Sequence, residues 1–220
     1  MSTPAVIAID GAAGSGKSTL GMGLAVALRL PYVNTGLMYR YLTLEALRTG
    51  TPTDDAAALA RLLRQIGFSL SEDSPPLLLI QGLPPTRDLQ SPEVEAEVSH
   101  VAHHPEVRAL MRAAQRALGE LHGAVMDGRD IGSVVFSDAP LKLYLTADAQ
   151  ARVARRADER TTTEAEVEAS LNARDRKDAK VNPLTAPPGS VMLDTASLDV
   201  RETLQAALEL VRLHAPELFP

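Results

Sequence analysis

The apolar run Ala5-Val6-Ile7-Ala8-Ile9 has no polar alternation, the pattern of a strand buried on both faces. The period turns helical over about 17–29, where Leu20, Leu24, Ala27 and Leu28 share a face. A short strand at Tyr32-Val33 leads to Asn34-Thr35-Gly36. There Thr35 is the expected cap of a helix over about 37–48, with Leu37, Tyr41, Leu44 and Leu47 as its apolar face. A third helix is predicted over about 54–65, with Thr53 at its N-cap.

The pattern then shortens. Phe68-Ser69-Leu70 and Leu77-Leu78-Leu79-Ile80 read as brief strands around Glu72-Asp73-Ser74-Pro75-Pro76, and Gly82-Leu83-Pro84-Pro85-Thr86 breaks structure again. The stretch at about 66–90 is therefore predicted to be a small β-rich insertion outside any parallel sheet. Ser91-Pro92-Glu93 opens a helix, with a capping Ser, Pro at its first position and an acid in the first turn. Pro105 ends it and opens another over about 105–119, whose apolar face carries Val107, Leu110, Met111, Ala114 and Leu118, with Arg108, Arg112 and Arg116 opposite.

Strands are predicted at Ala124-Val125-Met126, Leu141-Lys142-Leu143-Tyr144-Leu145 and Val191-Met192-Leu193. Helices are predicted from Asp148, over about 163–176 and over about 200–213. Strands alternating with helices imply an α/β fold: a three-layer arrangement with a parallel sheet covered by helices, plus the β-rich insertion.

Residues Gly11-Ala12-Ala13-Gly14-Ser15-Gly16-Lys17-Ser18-Thr19 sit between the first strand and the first helix. This is the strand–GxxxxGK[ST]–helix unit of a P-loop, which predicts a three-layer P-loop fold. The glycines let backbone N–H groups converge on phosphate, Lys17 brings a point charge to the β- and γ-phosphates, and the Ser18 hydroxyl is a ligand type for Mg²⁺. A nucleoside triphosphate and Mg²⁺ are thus the expected ligands of the loop. Asp10 reads as a brace for the loop backbone.

Composition narrows the partners. Aromatics are 3%, Trp is absent and the net charge is −6, which disfavours a nucleic-acid partner. With no Cys there is neither thiolate catalysis nor a disulfide. No apolar run approaches the length of a membrane span, and Met1-Ser2-Thr3-Pro4 carries no basic leader, so a cytoplasmic protein without a membrane partner is expected. Against the acidic average, residues 152–180 hold Arg152, Arg155, Arg156, Arg160, Arg174, Arg176, Lys177 and Lys180. Beside a triphosphate loop, so many guanidinium groups point to a second phosphate. The histidines at 100, 103 and 104 have a metal-like look, but Pro105 interrupts their helical spacing and no carboxylate pattern joins them.

The chain resembles the bacterial cytidylate kinases of the nucleoside monophosphate kinase group. The resemblance rests on Ile9-Asp10-Gly11 with the P-loop, Thr35-Gly36-x-x-Tyr39-Arg40 and Val107-Arg108. It continues through Asp127-Gly128-Arg129-Asp130-x-Gly132-x-Val134-Val135-Phe136-x-Asp138-Ala139-Pro140, Arg155-Arg156, Arg174-Asp175-x-x-Asp178, Pro183-Leu184 and Leu193-Asp194-Thr195. It implies that CMP or dCMP is the acceptor, held by Thr35, Tyr39, Arg40, Arg108, Arg129, Asp130, Arg174, Asp178 and Lys180. Lys17, Asp127, Arg129 and Arg174 would act in catalysis, with Mg²⁺ on Ser18 and, through water, on Asp127. Arg152, Arg155 and Arg156 would close over ATP as a lid. It also implies a monomer, organised as a core (about 1–35, 120–150 and 183–220), a monophosphate-binding region (about 36–119) and a lid (about 151–182). Two positions depart from the pattern: Asn34 stands where the family often has Asp, and Lys180 where an Arg before Pro-Leu is usual.

Other functions fit less well. The runner-up is a P-loop kinase for another small acceptor, either another nucleoside monophosphate such as UMP or a hydroxyl substrate with Asp130 as its base; the quantity of arginine and the Asp127-Gly128-Arg129-Asp130 block argue against it. A GTPase switch would carry N-K-x-D, and the nearest run, Asn172-Ala173-Arg174-Asp175, lacks the Lys.

Overall fold

The computed structural model describes residues 6–158, 163–179 and 185–220; within the helices, nothing is said of the side chains at 156, 158, 164, 170, 174 and 177–179. Strands β1 (Val6–Gly11), β2 (Tyr32–Asn34), β5 (Ala124–Gly128), β6 (Leu141–Thr146) and β7 (Val191–Asp194) form one sheet in the order β2-β5-β1-β6-β7. Every pairing in it is parallel. The unbroken apolar run at the start of the chain follows from this position. Ile7 and Ile9 feed the core beneath α1 (Lys17–Leu28) and α8 (Val200–His214), while Val6 and Ala8 feed the core on the other face. That second core is completed by α2 (Thr35–Thr49), α3 (Ala56–Leu63), α4 (Pro92–Val101) and α5 (Pro105–His122). A central parallel strand must be apolar on both sides.

The insertion is a two-stranded antiparallel hairpin, β3 (Phe68–Leu70) with β4 (Leu78–Ile80), outside the main sheet as expected. It touches the sheet edge through one parallel bridge between Tyr32 and Leu77 and a 2.8 Å bond from the Tyr32 N–H to the Pro76 carbonyl. The basic stretch forms α6 (Ala149–Asp158) and α7 (Glu164–Ala179).

Four local expectations are corrected. Asn34, not Thr35, caps α2: its side chain accepts from Leu37 N–H, and Thr35 is already helical. Asp55, not Thr53, caps α3, accepting from Ala58 N–H at 2.9 Å, while the Thr53 hydroxyl turns to Glu97 at 2.7 Å. On α2 the fully buried apolar residues are Met38, Leu42 and Ala46, whereas Leu47 is exposed. This helix packs on β5 and on α3, α4 and α5, so its apolar residues surround it and a single-face reading picks the wrong phase. On α1, Ala25 takes the buried place expected of Ala27, which is exposed.

Candidate active site

The carboxyl ends of the strands meet in register. Asn34 lies beside Asp127, Asp10 beside Gly128, and Gly11 beside Leu145. Whatever leaves β1, β2 and β5 therefore starts from one row, the usual ligand crevice of an open parallel sheet. At Gly11 a side chain is impossible, because a Cβ would come within 2.5 Å of the Leu145 carbonyl oxygen. Gly16, at φ 89°, is the N-cap of α1 and supplies no side-chain acceptor, so the first-turn N–H groups of that helix face the loop. Lys17 Nζ donates to the Ala12 carbonyl oxygen at 2.6 Å.

A hydrogen-bond chain crosses the mouth of this loop. Asn34 Nδ2 donates to Ser18 Oγ (3.1 Å), Ser18 Oγ donates to Asp127 Oδ2 (2.9 Å), and Tyr32 Oη donates to Asp127 Oδ1 (3.0 Å). Burial pushes the Asp127 carboxyl above the usual carboxylate range; Lys17, the Ser18 and Tyr32 hydroxyls and Arg129 pull it back toward ionisation. Asn34 has two tasks, since its oxygen caps α2 while its nitrogen reaches Ser18.

One cavity joins this cluster to the residues expected around an acceptor. Lys17, Ser18 and Asp127 line it together with Thr35, Tyr39, Arg40, Arg108, Arg129 and Asp130. Thr35 Oγ1 donates to the Asp127 carbonyl oxygen at 2.8 Å, tying the start of α2 to the end of β5. Arg40 is buried, donates to the Leu89 carbonyl oxygen at 2.9 Å and faces Glu95 at 3.6 Å. Arg108 Nη2 and Asp130 Oδ2 form a 2.5 Å ion pair, with both side chains about one-eighth exposed. Arg129 Nη1 donates to the Gly11 carbonyl oxygen at 3.1 Å. Burial raises the Tyr39 phenol, so it is a neutral donor in this wall.

Of the loop residues expected at ATP, Ala13, Gly14, Lys17 and Ser18 line the cavity. Gly11, Ala12, Ser15 and Gly16 form the loop behind them, and Thr19 points to solvent. Ser99 and Gln90 also line the cavity and were missed from sequence. Ser99 is a lone hydroxyl on α4, whose run reads as an ordinary amphipathic helix, and no pattern marks it out.

The basic helices reach the loop from the other side. Arg152 Nη1 donates to the Ala13 carbonyl oxygen (3.2 Å) and to Asp175 Oδ2 (2.6 Å). Arg155 Nη1 donates to Thr195 Oγ1 (2.9 Å), and its other terminal nitrogen donates to the Thr195 carbonyl oxygen. Thr195 is buried after β7, and its hydroxyl also reaches the carbonyls of Ser15 and Thr146. The side chains of Arg156, Arg174 and Asp178, and residues Arg160 and Lys180, lie outside the described residues. His104 Nε2 meets the Thr53 carbonyl oxygen at 2.9 Å, a bond that joins α5 to the start of α3.

Asp10 does not brace the loop. Its Oδ1 accepts the Ile131 N–H at 2.8 Å and its Oδ2 the Gly132 N–H at 2.7 Å. The reason is topological: the side chain at the end of β1 points along the row toward β5 and the turn that follows it.

The cytidylate kinase family model matches residues 7–213. The chain is 40% identical over 218 residues to a bifunctional pantoate ligase/cytidylate kinase of Synechococcus sp. strain JA-2-3B'a(2-13). That match covers 94% of this chain and 40% of the relative, so the chain spans about two-fifths of the length of that protein. It is also 40% identical over 212 residues to a cytidylate kinase of Symbiobacterium thermophilum, covering 92% of this chain and 94% of that one. Among solved structures, a gluconokinase from Sinorhizobium meliloti 1021 superposes with a TM-score of 0.53 at 15% identity, covering 98% and 96% of the two chains; it shares the fold.

Proposed function

Because the chain belongs to the cytidylate kinase family, we propose that it transfers the γ-phosphate of ATP to CMP or dCMP, giving CDP or dCDP and ADP. The observation that carries this reading is the single cavity in which the phosphate-binding loop faces the Arg108–Asp130 pair, Arg40 and Arg129. In it two anions can lie end to end.

The acceptor attacks through a phosphate oxygen that is already ionised, so the protein's work is alignment and charge neutralisation rather than proton removal. Lys17 moves its ammonium from the Ala12 carbonyl to the β- and γ-oxygens of ATP, and the first-turn N–H groups of α1 hold the same phosphates. Arg40, Arg108 and Arg129 hold the acceptor phosphate, joined by Arg174 and Lys180 on the strength of the resemblance. Asp130 and Asp178 accept from N–H and O–H donors of the cytosine or sugar, for which the cytosine amino group is suited.

Ser18 and Asp127 offer only oxygen atoms, the donor set a hard divalent cation takes, and would hold Mg²⁺, Asp127 through water. When bound, Mg²⁺ neutralises charge on the β- and γ-phosphate oxygens. Arg152, Arg155 and Arg156 lie on a lid over about 151–182 that excludes water from the transferred group. In this reading the enzyme is a cytoplasmic monomer with a monophosphate-binding region over about 36–119.

The 2.5 Å engagement of Asp130 by Arg108 counts against Asp130 as the free base of a hydroxyl kinase. The test is ADP release from Mg-ATP with CMP, dCMP, UMP, AMP, GMP and shikimate in turn. Stimulation by CMP and dCMP above the others is expected; stimulation by shikimate, or by AMP alone, would overturn the assignment.

A further inference from the structure

The ladder between β1 and β5 ends at the pair Asp10 and Gly128. Beyond it the chain runs through Arg129 and Asp130 into a single π-helical turn, Ile131–Val135. The segment that carries two acceptor-facing side chains has thus lost its sheet partner. The first N–H groups of any helical turn also lack acceptors within that turn. Asp130, at φ −145°, caps it without a side-chain bond.

Asp10 supplies what is missing. It is 1% exposed, and each carboxylate oxygen accepts one of the two leading N–H groups, from Ile131 and Gly132, across 121 and 122 residues of sequence. The next residue, Gly11, accepts from Arg129 Nη1 at 3.1 Å. Two consecutive residues at the end of β1 therefore grip the stretch 129–132 at three points. The fit is close, since a Cβ on Gly132 would lie 3.2 Å from Asp10 Oδ2 and 3.0 Å from Lys142 Cγ. A carboxylate is the side chain suited to this task, because it alone presents two acceptor oxygens and no donor. Its burial is costly: it raises the carboxyl to about 6, against the pull of the two N–H bonds and of Lys17.

We propose that Asp10 is a positioning residue for the acceptor: it continues the sheet register past its last backbone pair and so sets Arg129 and Asp130 against the phosphate-binding loop. Asp10 touches neither nucleotide. It acts through the turn at 130–132, which fixes the separation of the acceptor phosphate from the γ-phosphate. The inference rests on the reading above that Arg129 and Asp130 hold the acceptor.

The test is Asp10→Asn, which keeps the size but turns an N–H₂ donor against one backbone N–H. The expected result is a fall in kcat/KM for CMP of about 10–100-fold, the scale of a small misplacement of a reacting group. The KM for ATP should stay within about 2-fold. Unchanged CMP kinetics per folded enzyme, or equal rises in both KM values, would overturn the proposal. Arg129→Ala, run alongside, must raise the KM for CMP if the site reading holds. A silent Arg129→Ala overturns that reading, whereas a raised KM there with a silent Asp10→Asn overturns only the role of Asp10. Should Asp10→Asn not fold, the unaltered protein serves without nucleotide. The amide signals of Ile131 and Gly132 should move together as the pH falls from 8 to about 4, following the Asp10 carboxyl. Two flat signals would overturn the contact and the proposal with it.

Discussion

At one end of the cavity the chain offers mostly backbone, and at the other mostly side chains. The loop at 11–16 and the first turn of α1 present N–H groups from consecutive residues, with Lys17 as the one charged side chain. The opposite wall draws Thr35, Tyr39 and Arg40 from α2, Ser99 from α4, Arg108 from α5 and Arg129 and Asp130 from the turn after β5. A backbone site is local and tolerates few changes of φ. A side-chain wall is dispersed, and each member can be exchanged singly, so under the proposed function this wall is the part in which specificity can vary while the fold stays fixed.

The contrast can be broken most forcefully at Lys17. Lys17→Ala should lower kcat by at least about 10²–10³-fold, the usual loss for one preorganised charge, while circular dichroism and Tm stay near those of the parent. A coupled ADP assay showing near-parental turnover would mean that the backbone alone carries the donor end. Next in size is Arg108→Ala, which removes a side chain from the wall and leaves Asp130 without its 2.5 Å partner. It should raise the KM for CMP by about 10–100-fold and leave the KM for ATP within about 2-fold. Steady-state kinetics with each substrate varied would show whether the two ends are separable.

A third effect concerns stability rather than turnover. Burial raises the Asp10 carboxyl to about 6, above its ordinary value near 3.8, so the folded protein binds that proton more tightly than the unfolded chain. Its contribution is fully present below about pH 4 and is lost as the pH rises through about 6, a change on the order of 2–3 kcal/mol. Urea midpoints measured across that window for the parent and for Asp10→Asn should diverge, with the parent losing more as the pH rises. Parallel curves would show that the carboxyl titrates at its ordinary value. The ionised form is the one that accepts both N–H groups, so the state that orders the turn is the less stable one.

The loop between β1 and α1 was legible in sequence because eight consecutive residues encode it and an apolar strand precedes them. The parallel sheet was legible for the same reason: runs such as Val6 to Ile9 have only one comfortable place, between two helical layers. The facing wall of the cavity could not be read from spacing, since Arg40, Arg108 and Asp130 meet only after folding; the resemblance named them. Ser99 escaped because a single serine on an amphipathic helix carries no period. The face of α2 was misread because that helix is packed on several sides. The target of Asp10 was misassigned because the register of β1 against β5 decides it, and no local pattern contains that register.

The two margins of the sheet are unequally guarded. At β2 the hairpin bridges from Leu77 to Tyr32 and takes up that strand's N–H through Pro76, so a foreign strand finds the margin already occupied. At β7, among the described residues, no strand pairs on the outer side, and Met192 is 63% exposed there. The exposed Asp194 puts a charge at that margin, a common deterrent to edge-to-edge association. Crowding or partial unfolding would therefore be expected to recruit neighbouring molecules at β7 first, and replacing Asp194 with an apolar residue would remove the guard.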